Sequence, residues 1–382
     1  MRILIATGIF KPEMGGPATI AGELAKRLHA TGHKVTVLTY SDKPRYDFDG
    51  ELNFRLIRIV RAERKIVNYL RFFFTAFQEI KKHDVIYSLD WFSVGVPLML
   101  AAKLRGKKYL VRVGGGYIWE KYLAEGKPPM SLRDFYARGL HKTYRLMYFS
   151  IKKVLANAER VVFNSDIQRE LYIHHYDLVP EKTLTIHNAI PENRISGLVQ
   201  SYNDRNFRRD KEIVFAGRFI KMKNIESLIS AFSILNDQQF TLLLVGGGPL
   251  ENTLRQHVKD LGLTDRVLFL PPMTQSELYY RISNCYMVVI PSWTDVSPNQ
   301  AYECLALGIP FLITRENYLN IAPQIPLSVN PGSVDDIAEK LNLLLDEKNY
   351  VDYVKKLQAI DFHHPWDLFV QEHVNVFMNI TK

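Results

Sequence analysis

Short apolar runs of strand length alternate with longer amphipathic stretches along nearly the whole chain, and this alternation most restricts the folds open to it. Residues 2–7 (Arg-Ile-Leu-Ile-Ala-Thr) read as a buried strand, followed by a loop from Gly8 to Gly16, a helix over 17–30, Gly32 and a strand over 34–39. That is a βαβ opening. The rhythm continues with strands near 56–60, 84–87, 108–113, 160–163 and 183–186 and helices near 66–82, 93–105, 131–157 and 166–175. A second series has strands near 212–216, 241–245, 267–270, 286–291 and 311–314, and helices near 224–236, 249–261, 275–283, 298–307, 333–346 and 348–359. A last helix is expected over 366–380. Strands that are apolar along both faces, each joined to the next by a helix, imply parallel sheets covered on both sides.

With 382 residues, 47% of them hydrophobic, the chain exceeds a single core. Two Rossmann-like α/β domains are expected, over 1–191 and 211–365, joined by the polar, aperiodic stretch 192–210. The two cysteines, Cys285 and Cys304, lie in apolar surroundings with no metal-ligand spacing and read as free buried thiols. The N-terminal apolar run is too short for a signal peptide, and no run reaches membrane-spanning length, so a cytoplasmic protein is expected.

Charge is unevenly placed. Residues 1–191 hold 31 of the 49 Lys and Arg residues but only 18 of the 40 Asp and Glu residues. The basic half is suited to an anionic surface or substrate: membrane lipid, nucleic acid or a charged glycan. No motif or aromatic platform supports nucleic acid.

In parallel α/β sheets, ligands collect where strands lead into helix N-termini with unpaired N–H groups. Three such places stand out: Met14-Gly15-Gly16-Pro17, Gly217-Arg218 with Lys223-Asn224, and the segment Pro291 to Pro310. A tight turn, a solvated basic loop or an ordinary helix start explains each of them alone. In the last, Ser297 is placed to cap a helix, with Pro298 at its first position and Gln300 completing a capping box. Ala301, Cys304 and Leu305 form the apolar stripe, which leaves Glu303 facing either water or a cleft. Gly246-Gly247-Gly248-Pro249 lacks the full dinucleotide fingerprint, with Glu251 at its last position, and disfavours a nicotinamide site.

Together these residues resemble the group 1 (family 4) retaining glycosyltransferases. The features are Gly15-Gly16, Gly217-Arg218, Lys223-Asn224, the Gly246–Gly248 run, and Asp295 separated by seven residues from Glu303 in Glu-Cys-Leu-Ala-Leu-Gly-Ile-Pro. The resemblance implies the GT-B fold, two Rossmann-like domains facing across a cleft, with a C-terminal helix (366–382) crossing back to the first. It also implies a metal-independent hexosyltransferase needing no cofactor beyond its nucleotide-sugar co-substrate. In it Arg218 and Lys223 match the diphosphate-binding pair, Glu303 the acid on the ribose, and Asp295 the acid on the transferred sugar. Gly15, Gly16, Gly217, Gly247, Ser297, Pro298 and Asn299 match the donor-binding loops. The sequence departs from the family twice: Asp295 stands where Glu is usual, and Gly114-Gly115-Gly116 follows the strand where many members place a His. Arg112, Gly114 and Glu120 are the acceptor-side candidates there.

The implied reaction moves a sugar from a nucleotide-diphosphate sugar to a glycan or lipid-linked acceptor in cell-surface polysaccharide or glycolipid synthesis. A nucleotide-sugar epimerase, or an inactive binding protein of the same fold, shares the architecture. Two basic, aromatic stretches, 61–82 and 133–153, are candidates to lie on an anionic membrane, either as peripheral membrane elements or as ordinary helices whose aromatics are core.

Overall fold

In a computed structural model of the chain, residues 1–13, 15–189, 210–362 and 364–381 are described. The expected linker, 192–210, lies outside them except for Asp210, which begins a strand. The chain divides into two units.

The first unit comprises Met1–Ile118, Gly139–Ala189 and the C-terminal stretch from Trp366. Its strands are β1 (Arg2–Thr7), β2 (Lys34–Ser41), β3 (Arg55–Val60), β4 (Val85–Ser88), β5 (Leu110–Val113), β6 (Arg160–Phe163) and β7 (Thr183–Thr185). Among the described residues they form one parallel sheet in the order β3-β2-β1-β4-β5-β6-β7. The helices of this unit are α1 (Gly16–Ala30), α2 (Lys65–Ile80), α3 (Gly95–Leu104), α4 (Tyr117–Ala124), which runs on past Ile118, α6 (Arg145–Asn157) and α7 (Asp166–Tyr176). The order reverses at β1, so right-handed crossovers put α1 on one face and α2, α3 and α6 on the other.

The helix expected over 131–157 is interrupted. A short α5 (Leu132–Ala137) ends at Gly139, whose φ of 68° is left-handed, and a 3-10 turn precedes α6. Within the span expected for the first domain, 1–191, the stretch Trp119–Arg138 groups with the second unit instead. The Leu132 N–H donates to Thr294 Oγ1 at 2.8 Å, and the Arg133 guanidinium lies 5.8 Å from the Tyr318 ring centre.

The second unit carries β8 (Asp210–Arg218), β9 (Thr241–Gly247), β10 (Val267–Leu270), β11 (Cys285–Ile290), β12 (Phe311–Thr314) and β13 (Ser328–Val329), parallel in the order β10-β9-β8-β11-β12-β13. Its helices are α8 (Ile225–Ser233), α9 (Glu251–Asp260), α10 (Gln275–Ile282), α11 (Asn299–Leu307), α12 (Val334–Leu345) and α13 (Glu347–Gln358). Both cysteines are thiols outside any disulfide, buried in its core.

The last helix, α14 (Trp366–Thr381), belongs to the first unit and packs beside α1. Phe369 and Phe377 are fully buried there, and the Tyr87 and Phe377 rings stand 5.3 Å apart. His373 Nδ1 lies 2.7 Å from the Phe369 carbonyl oxygen, so that nitrogen carries the proton and Nε2 accepts from the Tyr87 hydroxyl at 3.1 Å.

Candidate active site

The second unit carries the two cations and two carboxylates singled out in the sequence, and it brings Lys223 and Asp295 into contact. β8 and β9 run together to their ends, Gly217 opposite Gly246 and Arg218 opposite Gly247. A Cβ on Gly246 (φ 141°) would lie 2.0 Å from the Gly217 carbonyl oxygen, and one on Gly248 would lie 2.6 Å from that of Phe219. The glycine run is therefore first a backbone contact between neighbouring strands. Gly247 has ordinary room, 3.7 Å to Pro272 Cγ. The Arg218 side chain is exposed and forms no ion pair among the described residues.

A 3-10 turn over Lys221–Lys223 follows and ends at Asn224, itself left-handed at φ 55°. The Asn224 amide donates to the carbonyl oxygens of Pro291 (3.1 Å) and Pro331 (2.8 Å), and the Trp293 N–H donates to Met222 O at 2.9 Å. These bonds tie the loop after β8 to the loop after β11. They bring Lys223 Nζ to 2.6 Å from Asp295 Oδ2, which also accepts from Ser292 Oγ at 3.0 Å. The Asp295 backbone is fixed as well: its N–H donates to Glu316 O and its carbonyl accepts from Tyr318 N–H, both at 3.0 Å.

The helix start after Asp295 differs from the expectation. α11 begins at Asn299 with Pro298 before it, and Ser297 adopts φ 67°, so its side chain does not cap the helix. No capping box with Gln300 forms. Left-handed backbone at a non-glycine residue costs on the order of 1–2 kcal/mol and persists only where the surroundings impose it. Here the buried Ser297 sits between the anchored Asp295 strip and the helix. Gly308 closes α11 at φ 65°, as expected.

Ala301 and Cys304 are fully buried on α11, and Glu303 is half-buried on another side of the helix. Gln275 Nε2, at the start of α10, donates to Glu303 Oε1 at 2.9 Å, and Tyr279 also hydrogen-bonds the carboxyl. Burial pushes the Glu303 carboxyl above the usual range, against the pull of those bonds. Sequence reasoning missed Gln275, Tyr279, Ser292 and Thr294. None stands at a telling spacing from its partner, and only the fold makes them neighbours.

The remaining candidates lie elsewhere. Gly15 and Gly16 open α1 in the first unit, exposed, with no acidic residue in the first turn and open space where a Gly16 Cβ would be. Arg112 is not available to an acceptor: it is 3% exposed, and its guanidinium donates to Ile186 O (3.0 Å) and Asn188 Oδ1 (2.8 Å) beneath the Phe369 ring. Its place at the end of β5 makes it a clamp on the chain after β7. Gly114 is exposed beside it, and Gly115 O accepts from Gln168 and Tyr172. Glu120 is exposed on α4, on the stretch that groups with the second unit.

Residues 14–194 match the family described as Glycosyltransferase Family 4, and residues 203–358 match Glycosyl transferases group 1. An uncharacterized glycosyltransferase of Methanocaldococcus jannaschii is 24% identical over 99% of this chain and 98% of its own. The alpha-monoglucosyldiacylglycerol synthase of Streptococcus pneumoniae is 24% identical over 84% of this chain and 72% of its own. Among solved structures, Anabaena HepE in complex with UDP-glucose superposes with a TM-score of 0.74 at 17% identity, covering 98% of this chain and 99% of its own. The fold is that of GT-B enzymes, and the chain belongs to the group 1, family 4 glycosyltransferases.

Proposed function

We propose that this glycosyltransferase moves a hexose from a nucleotide-diphosphate sugar to a glycan or lipid-linked hydroxyl with retention of configuration and without a metal. The observation that carries this is the joining of the loops after β8 and β11, where Asn224 laces the two together and Lys223 pairs with Asp295, with exposed Arg218 at the end of β8 leading into the first loop. A departing diphosphate needs positive charge in place before the bond breaks, and two cations beside a helix start supply it. Arg218 binds the diphosphate. Lys223, held ready by Asp295, turns to a phosphate when the donor arrives.

Asp295 then orients the transferred sugar, with Ser297, Pro298 and Asn299 offering backbone groups to it, and Glu303 receives the ribose hydroxyls. The acceptor oxygen attacks the anomeric carbon on the face the diphosphate leaves, and its proton passes to a phosphate oxygen of the leaving group. The UDP-glucose held by the HepE neighbour supports a nucleotide-sugar donor, and the glycolipid named in the pneumococcal relative supports a lipid acceptor in cell-surface synthesis.

The test is a screen of UDP-, GDP-, ADP- and CMP-sugars with candidate acceptors. Acceptor-stimulated nucleotide release, with an α-linked product from an α-linked donor, is expected. An isomerised sugar without transfer would make the protein an epimerase instead, and tight donor binding without turnover would make it a binding protein.

A further inference from the structure

Three helices of the first unit carry an apolar face that the fold leaves uncovered. Residues on α2 that pack on the sheet, Phe72 and Ala76, are fully buried, whereas Ile66, Leu70 and Phe74 recur at four-residue steps on the opposite side and are 50–64% exposed. α3 repeats the pattern, with Leu98 and Ala102 buried and Leu100 and Leu104 exposed. On α6, Ile151 and Leu155 are buried, while Phe149 is exposed and Leu146 is 87% exposed. In each helix an exposed residue stands two positions from a buried one, about 200° around the axis.

The stripes belong to one surface. α3 packs beside α2 on one side and α6 on the other, and the crossover rule places all three on the same face of the sheet. The join is close: Gly95 of α3 meets Val154 of α6, and Arg105, just after α3, stacks its guanidinium 3.6 Å from the Phe77 ring centre of α2. Single exposed leucines are ordinary, but a run of them across three adjacent helices is not.

Charge names the occupant. Glu79 is the one acidic residue in the three helices, and it is buried and already held by Arg55 (2.7 Å) and Lys82 (2.7 Å). Exposed Lys65, Lys103, Arg145 and Lys153 form no ion pair among the described residues. Lys152 of α6 is answered by an exposed acid outside the three helices, Asp177 at 2.5 Å, but the helices themselves expose no carboxylate. An apolar stripe bordered mainly by unpaired cations is what an anionic bilayer selects: the apolar side chains enter the acyl boundary while the bases meet headgroup phosphates. A protein partner would be expected to answer some of these cations with carboxylates of its own, but nothing in the pattern marks out discrete pairing positions. No helix among the described residues is long and apolar enough to span a membrane.

We propose that the outer face of α2, α3 and α6 docks on an anionic lipid surface. The proposal goes beyond the transfer reading and does not rest on it, because binding is measured without donor or acceptor.

The experiment is co-sedimentation of the full chain with phosphatidylcholine vesicles, with and without phosphatidylglycerol, at low and physiological salt. Wild type and the triple variant Phe74→Glu, Leu104→Glu, Phe149→Glu are compared, with thermal unfolding to show that both are folded. The expected result is pelleting with phosphatidylglycerol vesicles, weaker at higher salt, and binding by the triple variant reduced roughly tenfold or more. Lys103→Glu with Lys153→Glu is expected to weaken binding while leaving the apolar stripe in place. Equal pelleting with neutral vesicles, or wild-type binding by the triple variant, would overturn it. So would a wild-type dimer in sedimentation velocity that the triple variant converts to monomer, which would assign the face to a second copy of this chain.

Discussion

At the scale of single residues, Glu303 and Asp295 separate by environment. Glu303 is half-buried with two neutral hydrogen-bond partners, and its carboxyl is raised above the usual range by burial. The folded value therefore lies above the unfolded one, so ionised Glu303 destabilises the fold at neutral pH. That penalty fades as pH falls through the raised value toward the ordinary carboxylate range. Glu303→Gln is expected to raise the melting temperature at neutral pH by a few degrees while weakening donor binding. The melting difference from wild type should shrink on acidification, as calorimetry across that range will show. Asp295 has a cation at 2.6 Å, and Asp295→Ala leaves Lys223 without its partner. A loss of turnover on the order of 100-fold, with melting within a few degrees of wild type, is expected from a transfer assay beside calorimetry. The spacing of the two acids was legible from Gly308-Ile309-Pro310 and the apolar stripe of α11. Their supports were not, because Ser292 and Gln275 meet them only through tertiary contacts. Arg112 misled for the same reason: a cation at a strand end reads as a ligand group until the chain after β7 is seen to bury it.

Among the elements, glycine carried a second meaning that the sequence did not separate. The run Gly246–Gly248 enters the family resemblance with Gly247 on the donor side, yet two of its three members are required by the approach of β9 to the loop after β8. Gly246→Ala is expected to destabilise the second unit by about 3 kcal/mol, since its Cβ would meet Gly217 O and its φ is positive. Gly247→Ala should stay within about 1 kcal/mol of wild type, as expected for a position with ordinary room. Urea unfolding distinguishes the two, and a loss of activity in the folded Gly247→Ala protein marks donor contact. The strands and most helices followed from period and punctuation, because buried parallel strands leave continuous apolar runs. The break at Gly139 and the short strand β13 did not. One left-handed glycine inside a long amphipathic stretch, and a strand of two residues, give too little signal to register. Ser297 failed as a cap because its backbone is held left-handed beside the anchored Asp295 strip, a constraint that local sequence does not contain.

For the whole molecule, two βα series were visible from the start, whereas the allegiance of 119–138 and of the last helix was decided by distant contacts. α14 lies far along the chain from β4, yet Phe377 packs on Tyr87 and is fully buried in the core of the first unit. Phe377→Ala is expected to cost about 3–5 kcal/mol, read by urea unfolding of the first unit. The basic half of the sequence also resolves at this scale: its aromatics divide into core (Phe72, Tyr136, Tyr148) and surface (Phe74, Phe149), a division that helical phase sets and composition cannot. The central claim is that Arg218 and Lys223 receive the diphosphate of a nucleotide sugar. It is tested most directly by measuring acceptor-dependent nucleotide release by wild type and Arg218→Ala with the donor that the screen selects. The account predicts a loss on the order of 100-fold or more with melting temperature unchanged, since Arg218 is exposed and unpaired. Turnover by Arg218→Ala equal to wild type would contradict it.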